Sequence, residues 1–313
     1  MAHKSEWWTN FLFSLYVAGE VVFVFLTSLP FLLVVLVRKT FSGSGKKITG
    51  KTVLVTGSAR GLGRALSFEF AKQGCKLICV DVNTSVNEKT VEEINAQLGK
   101  PETATSMFCD VGDFESVRKL AEEVNKKHGK VDILVNNAGI VYGMHNIEDI
   151  EEGMAKKVVN VNLLSSLWLV QAFLPQMKAN KDGHIVFINS ISSLIPLGDA
   201  TIYTATKYGL LGFTEGLMDE LSRSSDNSNI KITSVHPFFV RTEGLKNLKI
   251  NPKYFAMDPH TAARYLIKGV RREYKKFAVP GNELIFWIFA LSRVLPHTMY
   301  QKLVNRIHDK VLI

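Results

Sequence analysis

Short apolar runs rich in Val, Ile and Leu recur along the chain, and each stops at small or polar residues. Residues 51–56, 76–81, 104–109, 132–135, 184–188 and 230–235 are such runs. Continuous apolar character marks strands buried on both faces, as in a parallel sheet. Between the runs the spacing turns helical, as in residues 64–71, which Gly74 ends. The alternation predicts an α/β fold around a parallel sheet, in one domain over residues 51–280. In such sheets ligands bind outside the carboxyl ends of the strands. The residues that close each run are therefore the first candidates for function.

The two ends of the chain break the pattern. Residues 11–37 are mostly apolar, with Ser14, Glu20, Thr27 and Ser28 as polar exceptions. A bilayer core takes about 20 apolar residues in a helix. The stretch exceeds the apolar core of about 7–15 residues in a cleaved signal peptide, and a buried core helix is out of place ahead of a complete domain. A retained membrane anchor over residues 1–40 is the expectation, with Trp7, Trp8 and Tyr16 suited to the interface. Glu20 and Pro30 leave open whether it spans or forms a hairpin. Lys4 is the one Lys or Arg before the stretch, whereas Arg38, Lys39, Lys46 and Lys47 follow it, so the domain beyond should face the cytosol. Residues 41–50, with Ser42-Gly43-Ser44-Gly45, read as a flexible linker. Residues 281–313 read as an amphipathic segment. Its apolar part, 284–291, is too short to span and has basic residues after it. It is suited either to the membrane interface or to packing over a substrate pocket.

Composition adds little to this. The net charge of +9 raises the question of nucleic acid, but no basic-aromatic motif of that class is present, and much of the excess flanks the apolar ends, where anionic lipid heads account for it. The chain should bind no nucleic acid. Cys75, Cys79 and Cys109 lack metal-ligand spacing, as do the histidines, so no metal site is expected. His184 and His236 read as packing or hydrogen-bonding residues.

The candidate chemistry begins at Gly57-Ser58-Ala59-Arg60-Gly61-Leu62-Gly63, between the first strand and the first helix. Strand, glycine turn and helix form the context of a dinucleotide-binding fingerprint, in which helix N–H groups meet a pyrophosphate. Asp81 ends the next strand, 18 residues beyond Gly63, where a carboxylate would meet the adenosine ribose. A carboxylate there favours NAD over NADP. Arg60 works the other way, as a guanidinium able to hold a 2′-phosphate, unless it pairs with Asp81. NAD is favoured, with NADP the alternative. Tyr203 and Lys207 stand four apart, on one face of a helix. An ammonium beside a phenol favours the phenolate, so Lys207 is expected to lower the Tyr203 pKa and make the pair an acid/base.

Taken together, Thr56-Gly57-x-x-x-Gly61-x-Gly63, Asn136-Asn137-Ala138-Gly139, a serine thirteen residues before Tyr203, and Tyr203-x-x-x-Lys207 resemble the short-chain dehydrogenase/reductase family over roughly residues 48–280. The resemblance implies a Rossmann-type doubly wound sheet of about seven strands. It makes Tyr203 the general acid/base and gives Lys207 the nicotinamide ribose. Ser190 would bind the substrate oxygen, ahead of Ser192 and Ser193, whose alternative role is turn capping. Asn162, rather than Asn160, would lie in a helix and support a proton-relaying water. The cofactor surface would comprise Gly57, Ser58, Arg60, Gly61, Leu62 and Gly63 from the turn, then Asp81. Asp110 and Val111 would border the adenine, although Asp110 is equally suited to a helix N-cap. Asn137, Ala138 and Gly139 complete that side with Tyr203 and Lys207. Pro237, Val240 and Thr242 come from a segment similar to the family's Pro-Gly-x-x-x-Thr, with Phe238 in place of glycine.

The anchor, the Pro237-Phe238-Phe239 run and residues 172–177 are similar to the membrane-bound epidermal-type retinol dehydrogenases and lipid-droplet 17β-hydroxysteroid dehydrogenases. That resemblance implies a lipophilic alcohol or ketone as substrate, a homodimer, and a place at the endoplasmic reticulum membrane or a lipid droplet. Leu245, Leu248, Ile250, Tyr254, Phe255 and Met257 would cover the substrate. Two alternatives remain: an NADPH-dependent reductase of 3-ketoacyl-type lipids, supported by Arg60, and a non-enzymatic lipid-surface scaffold, opposed by the intact catalytic set.

Overall fold

The computed structural model describes residues 45–100, 102–142, 145–244, 256–280, 283–293 and 296–311. Seven strands, β1 (Thr52–Thr56), β2 (Lys76–Asp81), β3 (Ala104–Phe108), β4 (Ile133–Asn136), β5 (Gly183–Ile188), β6 (Ile230–Pro237) and β7 (Lys276–Val279), form one sheet in the order β3-β2-β1-β4-β5-β6-β7. Every pairing is parallel. The helices in chain order are α1 (Gly61–Lys72), α2 (Thr84–Leu98), α3 (Phe114–His128), α4 (Glu152–Val159), α5 (Ser165–Ala179) and α6 (Thr201–Ser222). They continue with α7 (Pro259–Arg271), α8 (Glu283–Ser292) and α9 (His297–Val311). The sheet is Rossmann-type, as the sequence predicts. The predicted anchor, residues 1–40, lies outside the described residues.

Alternation along the strands builds two apolar layers. Val53 and Val55 face Leu66 and Phe70 of α1, Ile94 of α2, and Leu266 and Val270 of α7. Leu54 faces the other way, into a layer with Leu120 of α3, Phe173 of α5 and Leu217 of α6. Each fully buried side chain of this size contributes roughly 1.5–3 kcal/mol, so both layers are needed to hold the central strands. Three helix starts, those of α2, α3 and α7, are set by side-chain caps. Asn83, Asp113 and Asp258 accept hydrogen bonds from the Val86, Glu115 and Thr261 N–H groups.

The chain runs from β1 outward to β3, then crosses back to β4 on the other side of β1. That reversal opens a crevice at the carboxyl ends of β1 and β4, where an open α/β sheet takes its ligand. The segment Glu152–Ala179 is long and apolar enough to cross a membrane. It is instead the core helix of the domain: α4 and α5 are joined by one wider π-helical turn at Asn160–Leu164, and Leu169, Phe173 and Met177 pack under the sheet. The three cysteines are buried free thiols, and burial pushes them up to about 12, 12 and 11, away from thiolate reactivity.

Candidate active site

The glycine turn is shaped by backbone demands. Gly57 has φ +68°, the left-handed region that glycine enters freely. A Cβ on Gly63 would stand 2.0 Å from the Gly57 carbonyl oxygen, so the helix start closes tightly on the strand end only without a side chain. The neighbouring strand end locks to it. Asn137 Nδ2 donates to the Thr56 carbonyl at 2.8 Å, and the Asn137 and Ala138 N–H groups both donate to Thr56 Oγ1 at 3.1 Å. The Ser58 hydroxyl points inward, 2.8 Å from Asn87 Oδ1 and 3.1 Å from the Val80 carbonyl. The Ser58 N–H donates to the same Val80 carbonyl at 3.2 Å, so Ser58 fastens the turn to β2. Asn87 is wholly buried, and its Nδ2 holds the Cys79 carbonyl and Ser106 Oγ, each at 2.8 Å. Its Val86-Asn87-Glu88-Lys89 surroundings carry no signal that sets it apart from a surface helix residue.

Asp81 takes the Ala59 N–H on Oδ2 at 3.0 Å and the Asn83 N–H on Oδ1 at 2.9 Å. The expectation that Arg60 pairs with Asp81 does not hold. Arg60 pairs with Glu243 at 2.9 Å, because Glu243 follows Thr242 in a loop that reaches over the turn. Asp110 is likewise not the N-cap of α3; Asp113 is, while Asp110 Oδ1 accepts the Gly112 N–H at 2.9 Å and shapes the loop beside the buried Val111. These residues fit a dinucleotide: a side-chain-free cradle at a helix N-terminus, and a carboxylate at the end of the second strand.

The catalytic candidates meet at the ends of β4 and β5 and on α6. Lys207 is buried and donates from Nζ to the Ile188 carbonyl at 3.0 Å, with Nζ 5.6 Å from the Tyr203 ring centroid. Burial lowers Lys207 to about 8. Burial also raises the Tyr203 hydroxyl above its ordinary value, and a hydrogen bond with the Ser190 side chain opposes that rise. The direction differs from the sequence expectation: loss of hydration around the phenolate dominates, with the Ser190 side chain as the opposing influence.

Asn162 lies within the π-helical turn. Its Oδ1 accepts the Ile140 N–H at 2.8 Å, and Nδ2 donates to the Ile140 carbonyl at 2.9 Å and faces Thr206 Oγ1 at 3.3 Å. It thus ties the segment after Gly139 to α6. A Cβ on Gly139 would stand 3.5 Å from Asn162 Oδ1 and 3.9 Å from Lys207 Nζ.

Ser190 itself caps the short 3-10 turn Ile191–Ser193, accepting the Ser192 N–H at 3.1 Å. Ser193 Oγ donates to the Ser190 carbonyl at 2.7 Å and lies 2.8 Å from His236 Nδ1. His236 is fully buried, with Ser234 Oγ 3.0 Å from its Nε2, and burial holds it down to about 3. It stays neutral and braces the Ser190 loop.

The C-terminal segment packs against this loop. Phe286 of α8 is buried, with its ring 4.6 Å from His236, and the Phe238 ring lies 5.4 Å from Phe289. The Tyr208 and Tyr300 hydroxyls reach the same Leu194 carbonyl, at 3.1 and 3.3 Å. Through Phe286, Phe289 and Tyr300 the described part of residues 281–313 packs on the loop that follows Ser190. Phe238 also explains its replacement of glycine: its N–H extends β6 by donating to the Val279 carbonyl at 2.7 Å, while its ring docks on α8.

Beside Tyr203 a small open pocket, with about 20 Å³ of water-accessible space, is lined by Tyr142, Ile150, Met154, Val158 and Ile202, with Asp199 and Thr201 among its polar neighbours. Of the residues expected to cover the substrate, Met257 pairs with the Phe239 and Arg241 backbone and packs on the core. Leu245, Leu248, Ile250, Tyr254 and Phe255 lie outside the described residues.

Comparison with known proteins agrees with this geometry. A family model described as short chain dehydrogenase matches residues 51–253. The chain is 36% identical over 257 residues to epidermal retinol dehydrogenase 2 of Mus musculus, covering 80% of each. It is 32% identical over 267 residues to estradiol 17-beta-dehydrogenase 11 of Homo sapiens, covering 85% of this chain and 86% of that one. Among solved structures, a metagenomic short-chain oxidoreductase in complex with NADP superposes with a TM-score of 0.63 at 26% identity, covering 74% of this chain and 98% of that one. A short-chain dehydrogenase/reductase from Burkholderia phymatum in complex with NAD superposes with a TM-score of 0.70 at 22% identity, covering 79% and 94%, and so shares the fold. With the cradle, the Ser190–Tyr203 hydrogen bond and Lys207 in place, the chain belongs to the short-chain dehydrogenase family and is an NAD(P)-binding oxidoreductase.

Proposed function

We propose that the protein oxidises a lipophilic alcohol, such as retinol, a steroid or a long-chain alcohol, with NAD as the favoured cofactor. The observation that carries the reading is the convergence of Ser190, Tyr203 and the buried Lys207 at the carboxyl ends of the strands, with Tyr203 in the wall of a small pocket that Ile150, Met154, Val158 and Ile202 make mostly apolar. Bound nicotinamide supplies a hydride acceptor for the alcohol carbon. Ser190 Oγ holds the substrate oxygen, and Tyr203 Oη, as the phenolate left when its own proton passes toward Lys207, takes the alcohol proton as the hydride leaves the carbon. Lys207, at about 8, carries protons near neutral pH. Asn162 keeps the Gly139–Ile140 segment against Lys207. The cradle, Asp81, Val111, Val240 and Thr242 orient the dinucleotide. The pairing of Arg60 with Glu243 weakens the case for an NADPH-linked ketoacyl reductase.

The layout we propose is a membrane anchor over residues 1–40, a linker over 41–50, the catalytic domain over 51–280, and the C-terminal segment over 281–313. The names of the relatives, as retinol and estradiol dehydrogenases, support a lipophilic substrate. The anchor would set the domain on the cytosolic face of the endoplasmic reticulum or a lipid droplet. A homodimer would use the outer faces of α5 and α6, where Gly212 and Gly216 leave open space.

The test is an activity screen of the full chain in liposomes, with retinol, a steroid and a long-chain alcohol, each with NAD and with NADP. NAD-linked turnover of at least one is expected. Turnover confined to short water-soluble alcohols would reject the reading.

A further inference from the structure

Arg60 and Glu243 come from loops 183 residues apart, yet their side chains form an ion pair at 2.9 Å. The loops also touch elsewhere: a Cβ on Gly61 would stand 3.2 Å from Thr242 Cγ2. Arg60 is the sole cation in the turn from Gly57 to Gly63. A guanidinium is the group best shaped to hold the 2′-phosphate that separates NADP from NAD. Asp81, at the ribose side, has each oxygen on a backbone N–H, and its negative charge would repel that phosphate.

We infer that Glu243 is a cofactor-specificity residue: by pairing with Arg60 it withholds the guanidinium from a 2′-phosphate and leaves Asp81 to select the unphosphorylated ribose. The inference rests on the dinucleotide-binding reading above. It assigns the preference to a residue outside both the glycine turn and the ribose-binding strand end. The side chains of Arg60 and Glu243 are 74% and 60% exposed, so the pair is weak and screened by salt. The effect is accordingly moderate, and it depends on Arg60 remaining present.

The test measures NADH and NADPH binding to the full chain in detergent at low salt, by nicotinamide fluorescence, with no lipid substrate. Wild type should bind NADH more tightly. Glu243→Gln should shift the ratio toward NADPH by about two- to fivefold, the scale of one released exposed ion pair. The double variant Glu243→Gln/Arg60→Ser should lose that gain. An unchanged ratio in Glu243→Gln overturns the inference. So does an equal gain in the double variant, which would reflect bulk charge rather than Arg60, or a wild type that already prefers NADPH. Binding of neither dinucleotide would remove the dehydrogenase reading along with it, whereas NADH binding without a ratio shift removes the inference alone.

Discussion

The two halves of the crevice are built by different means. The cofactor half, at the ends of β1, β2 and β4, is made mainly of backbone: glycines that admit close approach, and N–H groups fixed by Thr56, Asn137 and Asp81. The substrate half, at the ends of β5 and β6, is made of side chains from distant parts of the chain. Ser190 leans on Ser193 and His236, His236 on Phe286, and the Leu194 carbonyl on Tyr208 and Tyr300. The cradle therefore rests mainly on local glycine spacing, whereas the support behind Ser190 rests on long-range packing.

The largest effect expected of this division is on turnover. Tyr203→Phe removes only the proton-transferring oxygen and should cost about 10²–10⁴-fold in rate. Residual activity above about a tenth would contradict its role. Next is Phe286→Ala, which empties a buried site against His236 and Leu194. A loss of about 3–5 kcal/mol in urea unfolding is expected, together with lower kcat from a loosened Ser190 loop. A loss under 1 kcal/mol would mean that α8 does not brace the substrate half. Gly63→Ala forces a methyl group into the Gly57 carbonyl. It should destabilise by about 1–3 kcal/mol and weaken dinucleotide binding, since backbone on both sides cannot yield.

The smallest effect is on acid stability. His236 is held down to about 3 and His184 well below its ordinary value by burial. The unfolded chain therefore binds protons that the folded chain excludes. Stability from both groups is complete above the unfolded histidine value of about 6.5 and falls as pH drops below it. Tm should decline between pH 6.5 and 5, before most carboxylates titrate. A flat Tm over that window would place the two imidazoles in contact with water.

This division also sets what the sequence makes legible. Glycine spacing, Asp81 at a strand end and Tyr203-x-x-x-Lys207 are local patterns, and the structure brings them to one crevice. The six apolar runs correspond to six strands, within a residue or two at each end. Strand β7 was not among them, because Lys276–Val279 is four residues long and owes its place to pairing with β6. The Arg60–Glu243 pair, the His236 brace and the two tyrosines on Leu194 link positions tens to hundreds of residues apart, and no spacing rule connects them. The Tyr203 shift was misread for a related reason. Helical spacing shows that a lysine is near, but not how deeply both groups are buried.

The most direct test of the division measures NAD affinity and alcohol turnover together on two variants, Tyr203→Phe and Asp81→Ala. The account predicts a crossed result. Tyr203→Phe should bind the dinucleotide nearly as wild type does and lose turnover, whereas Asp81→Ala should need about ten- to a hundredfold more NAD, what one lost hydrogen bond to a charged group costs, and regain near wild-type turnover at saturation. Parallel loss of both quantities in both variants would contradict the account, because binding and chemistry would then share one set of contacts.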